Sequence, residues 1–153
     1  MSKRRALSAA VCVAAPLLVI SACSYGVPVD AYPTAPNTSK NCDALYADLP
    51  NQVADQKRRG VKSTIAAAWG DPEIIVRCGV EQPAALTRSS RCDVVDDVGW
   101  FSEDVADGLL FTTIGRQFFI SVEVPKGYDP PADALVDLAK SVKKHDPDVQ
   151  PCV

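Results

Sequence analysis

The sequence predicts an α+β fold: a two-layer sandwich in which an antiparallel sheet of about five strands carries an N-terminal and a C-terminal helix on one face. Three observations lead there. A short helical pattern precedes Pro50, five strand-like runs follow between residues 62 and 124, and the strongest helical pattern of the chain starts after Pro130-Pro131.

In the first helix, at 39–49, Cys42, Leu45 and Leu49 fall on one side at i, i+3 and i+7, Ser39 or Asn41 is placed to cap the start, and Pro50 ends it. The strand candidates are 62–69, 73–80, 92–100, 109–114 and 117–124. Gly70-Asp71-Pro72 is a tight turn between the first two, and Gly115-Arg116 a hairpin turn between the last two. In the last run Phe118, Ile120, Val122 and Val124 alternate with Phe119, Ser121 and Glu123, so one face is buried and the other half-exposed. In the closing helix, 132–144, Leu135, Leu138 and Val142 form the buried stripe. Asp129 and Asp133 lie near its positive end, and Lys140, Lys143 and Lys144 near its negative end.

Ahead of this domain, expected at 41–153, stands an address. Lys3, Arg4 and Arg5 precede an uncharged apolar run at 6–20, the layout of a secretory signal peptide and shorter than the roughly 20 residues of a membrane span. The run ends in Ile20-Ser21-Ala22-Cys23, which resembles the bacterial lipobox at all four positions. Cleavage after residue 22 leaves Cys23 as the acylated N-terminus, and two or three acyl chains at about 0.8 kcal/mol per buried CH2 hold a domain on a bilayer. The stretch 23–40, with Pro28, Pro33, Pro36 and Gly26, has neither helical nor strand periodicity and reads as a flexible tether.

The full chain has 16 Lys plus Arg against 19 Asp plus Glu, a net charge of -3. Loss of Lys3, Arg4 and Arg5 leaves 13 against 19, a net of -6, so the mature protein is not expected to lie flat on an anionic membrane. Its cations are scattered along the chain, which argues against a nucleic-acid partner. His145 is the single histidine, follows two lysines near a helix end, and reads as a dipole-stabilised surface imidazole. Neither a metal site nor a catalytic constellation is visible, so no enzyme activity and no cofactor are expected.

Cys42, Cys78, Cys92 and Cys152 remain after the leader, an even number in an exported chain, and two disulfides are expected. Of three possible pairings the sequence favours Cys78 with Cys92, across what reads as adjacent strand ends, which leaves Cys42 with Cys152.

Several groups are weighed as sites. Asp93, Asp96, Asp97, Glu103, Asp104 and Asp107 do not fit a DxDxDG calcium loop and read as an exposed acidic hairpin. Trp69 and Trp100 read as core. Arg77 and Arg116 form a conceivable anion clamp, but salt bridges to Asp71 or Glu123 explain them better. The sheet face away from the helices, with Ile75, Arg77, Phe119 and Glu123, mixes aromatic, aliphatic and charged groups and is the candidate binding surface.

Trp69-Gly70-Asp71-Pro72 and Arg77-Cys78-Gly79-Val80, preceded by Cys42 and Leu49-Pro50 and followed by Trp100 and Phe111-Thr112-Thr113-Ile114-Gly115-Arg116, resemble an actinobacterial family of small exported proteins of unknown function. The likeness is strongest to its mycobacterial-type lipoproteins. It implies export and residence in the cell envelope but no activity. The expected role is therefore a cell-membrane lipoprotein on the extracytoplasmic face. Its partners would be the bilayer, through acylated Cys23, and an envelope protein or wall component. A small-ligand carrier or sensor is the alternative.

Overall fold

The computed structural model describes residues 26–63, 65–150 and 152. Along the chain come α1 (Ser39–Asp48), β1 (Gln52–Val53), β2 (Gln56–Arg59), β3 (Ala66–Trp69), β4 (Ile74–Val80), β5 (Asp93–Val95), β6 (Val98–Val105), β7 (Gly108–Ile114), β8 (Phe119–Pro125) and α2 (Ala132–His145). The strands form one open antiparallel sheet in the order β1-β2-β3-β4-β8-β7-β6-β5. Both helices share a single hydrophobic core with one sheet face.

The α+β class stands, with eight strands in place of about five. Two hairpins account for the difference. Ala54-Asp55 turns β1 into β2, and Asp96-Asp97 splits the 92–100 run into β5 and β6; all four residues have positive φ, between 44° and 63°. Successive left-handed residues make the turn whose twist matches paired strands, usually signalled by Asn-Gly or Asp-Gly. Here non-glycine residues adopt it, so the usual signal is missing from the sequence.

The strands do not follow one another as a simple meander. β4 pairs with β8, and the chain leaving β4 at Val80 crosses to the opposite edge before β5 begins. This corrects the expected disulfides: the bridges are Cys42–Cys78 and Cys92–Cys152, with Cα separations of 5.6 and 5.9 Å, rather than Cys78–Cys92 and Cys42–Cys152. Strands β4 and β5 lie four positions apart in the sheet, roughly 19 Å at ~4.8 Å per strand, while a disulfide spans Cα atoms less than about 7 Å apart. Cys78 instead reaches the helix layered on β4, and Cys92 meets the C-terminal segment. Gly99 lies beneath that second bridge, where an added Cβ would stand 3.0 Å from both sulfurs.

The expected alternation of β8 holds, with Ile120, Val122 and Val124 at most 1% exposed. Opposite them Leu45, Leu49, Leu135, Leu138 and Val142 are buried, each worth roughly 1.5 to 3 kcal/mol of transfer free energy. Trp69 and Trp100 are core, as expected, and the Trp69 indole donates to the Pro50 carbonyl at 3.0 Å. Arg58 lies 5.6 Å from the Trp69 ring and donates to the carbonyls of Tyr46 and Leu49, which the end of α1 leaves without helical partners. Between the helices, Ser141 donates to the Asp48 carbonyl and Lys144 to its carboxylate. The Lys144 hydrogen bond, aided by His145, holds the Asp48 carboxyl below its usual range. His145, expected at the surface, is half-buried, with Nε2 3.2 Å from Asp48.

The expected leader (1–22) and Cys23 lie outside the described residues. From residue 26 onward the expected tether is corrected: it is a strap held on the domain. Val27 is 3% exposed, donates to the Gly60 carbonyl and accepts from the Lys62 amide. Farther along, the Ala35 amide donates to the Gly79 carbonyl and the Glu81 amide to the Pro33 carbonyl, so the strap continues the sheet beside the end of β4, beyond the start of β3. Proline suits this edge position, where a lost N–H leaves no gap inside the sheet.

Candidate functional site

Residues directly opposite on antiparallel strands share a face, so the register fixes what the outer face presents. One row runs Ala66, Arg77, Ser121, Thr112, Phe101, and the next runs Ala68, Ile75, Glu123, Leu110, Glu103. Among the described residues no helix covers these rows. Asp30 to Pro33 of the strap and Val80 to Ala85, joined where the Glu81 amide donates to the Pro33 carbonyl, line a trough of about 590 Å³ whose lining includes Arg77, Leu110, Thr112 and Ser121 of the sheet.

The strap wall is held by two tyrosines. Tyr46, on α1, accepts from the Cys78 amide at 2.9 Å and donates to the Ile65 carbonyl, and Tyr32, on the strap, donates to the carbonyls of Ile65 and Cys78. Burial first, and the neighbouring Tyr32 hydroxyl second, push the Tyr46 phenol far above its usual range, so it stays protonated. Gly79 allows this close packing: its φ is +71°, and a Cβ there would strike the Thr38 hydroxyl at 2.3 Å.

Within the trough Arg77 is paired with Glu123 at 2.8 Å and lies 6.0 Å from the Tyr32 ring centroid. Asp30, Glu81 and Glu103 add carboxylates to the lining, so acids outnumber the single cation there. Among the described residues the buried Thr112 hydroxyl has no hydrogen-bond partner, and the lining contains no histidine, lysine or cysteine. It offers apolar contact, hydroxyls and carboxylates, the chemistry of holding a polar or cationic ligand.

Of the expected surface, Arg77 lines this trough and Glu123 fixes it, while Ile75 is half-buried one row away. Phe119 borders a second groove, about 860 Å³, together with Arg88, Arg116 and Gln150. The four residues share a face but not one pocket. The anion clamp does not form: Arg77 meets Glu123, whereas Arg116 donates to the carbonyls of Asp146 and Asp97. In the acidic hairpin Asp93 pairs with Arg91, and Asp96 and Asp97 with Lys143.

Sequence reasoning missed Asp146. It follows α2, is fully buried, and accepts from the Phe118 amide at 3.3 Å through Oδ1, while Oδ2 has no partner among the described residues. Burial pushes its carboxyl up to about 7, opposed by the Phe118 amide and by the Arg116 charge. An aspartate after a lysine-rich helix end looks like a solvated cap, and no local signal marks it as buried. The strap was missed likewise, because its pairing partners lie 33 to 48 residues away.

A family model described as a protein of unknown function, DUF3515, matches residues 5–151. The chain belongs to the DUF3515 family. No curated protein and no solved structure matches it. The DUF3515 match takes in the strap, the Cys42–Cys78 bridge, Cys92 and every strand among the described residues, and stops one residue short of Cys152.

Proposed function

We propose that this DUF3515 protein is an exported actinobacterial lipoprotein, held through acylated Cys23 on the extracytoplasmic face of the cell membrane, and that it works by binding an envelope component rather than by catalysis. The observation that carries this reading is Ile20-Ser21-Ala22-Cys23 placed directly behind a basic and then apolar leader. Two disulfides support it, since such bridges persist in oxidising, extracytoplasmic compartments. The family match, which begins at residue 5, supports taking leader and domain as one unit. Among the described residues no helix is long and apolar enough to cross a membrane, and in this reading the lipid supplies the attachment.

The test is mass spectrometry of the membrane fraction: Cys23 should be N-terminal and acylated, and Cys23→Ala should release the protein. An unmodified soluble chain from wild-type cells overturns the proposal. The outer-face trough favours a second reading, a carrier of a small polar or cationic ligand, because its volume falls in the range of small-molecule sites. Cross-linking in the native cells, compared with an Ile75→Ser/Phe119→Ser variant, separates the two. A macromolecular partner lost from that folded variant supports a docking face, and a small ligand retained by it supports the carrier.

A further inference from the structure

The strap shortens the link between lipid and domain. Because Val27 is locked against Gly60 and Lys62, only residues 24–26 separate it from Cys23, and at most about 3.6 Å per residue places the two Cα atoms within roughly 14 Å. A 17-residue tether would have let the domain turn freely. A link this short holds the corner formed by Gly60, Val61 and Lys62 against the bilayer.

That corner follows β2, the most basic of the strands, which Asp55 and Asp71 border in sequence and whose Arg58 turns inward to the carbonyls at the end of α1. The stretch 56–70 contains Lys57, Arg58, Arg59 and Lys62 and no acidic residue, whereas 93–107 contains Asp93, Asp96, Asp97, Glu103, Asp104 and Asp107 and no lysine or arginine. The sheet order puts β2 and β6 five positions apart, roughly 24 Å at ~4.8 Å per strand. This exceeds the Debye length of about 8 Å at physiological salt, so each edge is felt separately by a charged surface. Local pairing softens the contrast without removing it: Arg59 meets Glu73 at 2.9 Å, and Lys143 meets Asp96 and Asp97. Ile65, close to the corner in sequence, is 39% exposed. Cations beside an exposed aliphatic group suit a headgroup layer.

We infer that the DUF3515 domain stands on its basic edge, with Lys57, Arg59, Lys62 and Ile65 against an anionic bilayer and the acidic β5–β6 edge turned away. The net charge of -6 that argued against membrane contact is thus segregated, and the lipid anchor selects the edge that tolerates contact. The inference rests on the proposed acylation of Cys23, and its test bypasses cellular lipidation.

Residues 23–153 contain every described residue and, once both disulfides are closed, a single free thiol at Cys23. Coupling that thiol to a maleimide phospholipid in vesicles allows footprinting with an amine-reactive, membrane-impermeant reagent. On vesicles of phosphatidylglycerol and phosphatidylcholine, labelling of Lys57 and Lys62 should fall several-fold relative to the uncoupled protein, while Lys143 at the far edge keeps its rate. On phosphatidylcholine alone the protection should be much smaller. Unchanged labelling of Lys57 and Lys62 on the anionic vesicles, or equal protection of all three lysines, overturns the inference. Absence of acylation at Cys23 in cells would instead remove the anchor on which it rests.

Discussion

On β8, Ile120, Val122 and Val124 face two helices and are essentially inaccessible, while Phe119 and Glu123, on the same strand, are half-buried beneath irregular chain. Helices α1 and α2 cover the inner face with buried apolar side chains, among them Leu45, Leu49, Leu135, Leu138 and Val142. Among the described residues the outer face is bordered by irregular chain, namely the strap, the segment after Val80 and the C-terminal segment, and a trough and a groove remain between them. In a two-layer domain, the face without helices is where binding has room to arise.

The largest test of this contrast lies on the inner face. Ile120→Ala should cost about 2 to 5 kcal/mol, the range for large-to-small changes in closed cores, whereas Phe119→Ser next to it should cost much less. Urea denaturation of the two variants measures the difference, and equal losses would show that both faces are core. Next comes the bridge between α1 and β4: the Cys42→Ser/Cys78→Ser pair should lower stability by about 2 to 4 kcal/mol. Non-reducing peptide mapping of the wild type should recover Cys42 joined to Cys78 and Cys92 joined to Cys152.

The inner layer also carries a pH-dependent weakness. The Asp146 carboxyl titrates near 7 when folded and near 3.9 when unfolded, so between these values the folded state binds more protons. Its contribution is fully favourable below pH ~4 and is lost as the pH rises through about 7. At about 1.4 kcal/mol per pKa unit, the loss is on the order of 2 to 4 kcal/mol. Asp146→Asn should flatten the stability profile across that window and raise stability at pH 8 relative to wild type, read from thermal unfolding at several pH values. A variant profile parallel to that of the wild type would exclude Asp146 as the source.

Smaller effects belong to the outer face. Tyr32→Phe removes the strap's bonds to Ile65 and Cys78 and should cost about 1 kcal/mol. Its clearer signature is faster hydrogen exchange at the Val27 and Ala35 amides than at the inner residue Ile120. Glu123→Gln leaves Arg77 without its carboxylate and should change stability by no more than about 1 kcal/mol, since the pair is partly exposed. Under the carrier reading proposed above, ligand affinity should change more than the stability does.

Legibility followed distance along the chain. Leu135, Leu138 and Val142 announce α2 within eight residues, and the β8 alternation announces its own two faces, because a helix or strand repeats its environment every few positions. The Ala54-Asp55 and Asp96-Asp97 turns stayed hidden although they are local, since nothing in those side chains demands a left-handed backbone. The candidate face was legible as a face, but its division between the Arg77 trough and the Phe119 groove was not, because that depends on where the chain after Val80 crosses.

By itself the sequence determined the α+β class, both helices, the inward residues of β8 and the placing of both tryptophans in the core. Tertiary structure alone decided that β8 lies between β4 and β7, that Cys78 meets Cys42, that the proline-rich strap clasps the sheet, and that Asp146 is buried. The first group follows from periodicities of two and 3.6 residues that short-range sterics and burial impose. The second depends on which distant surfaces exclude water together, a property of the assembled layers that no short stretch of chain encodes.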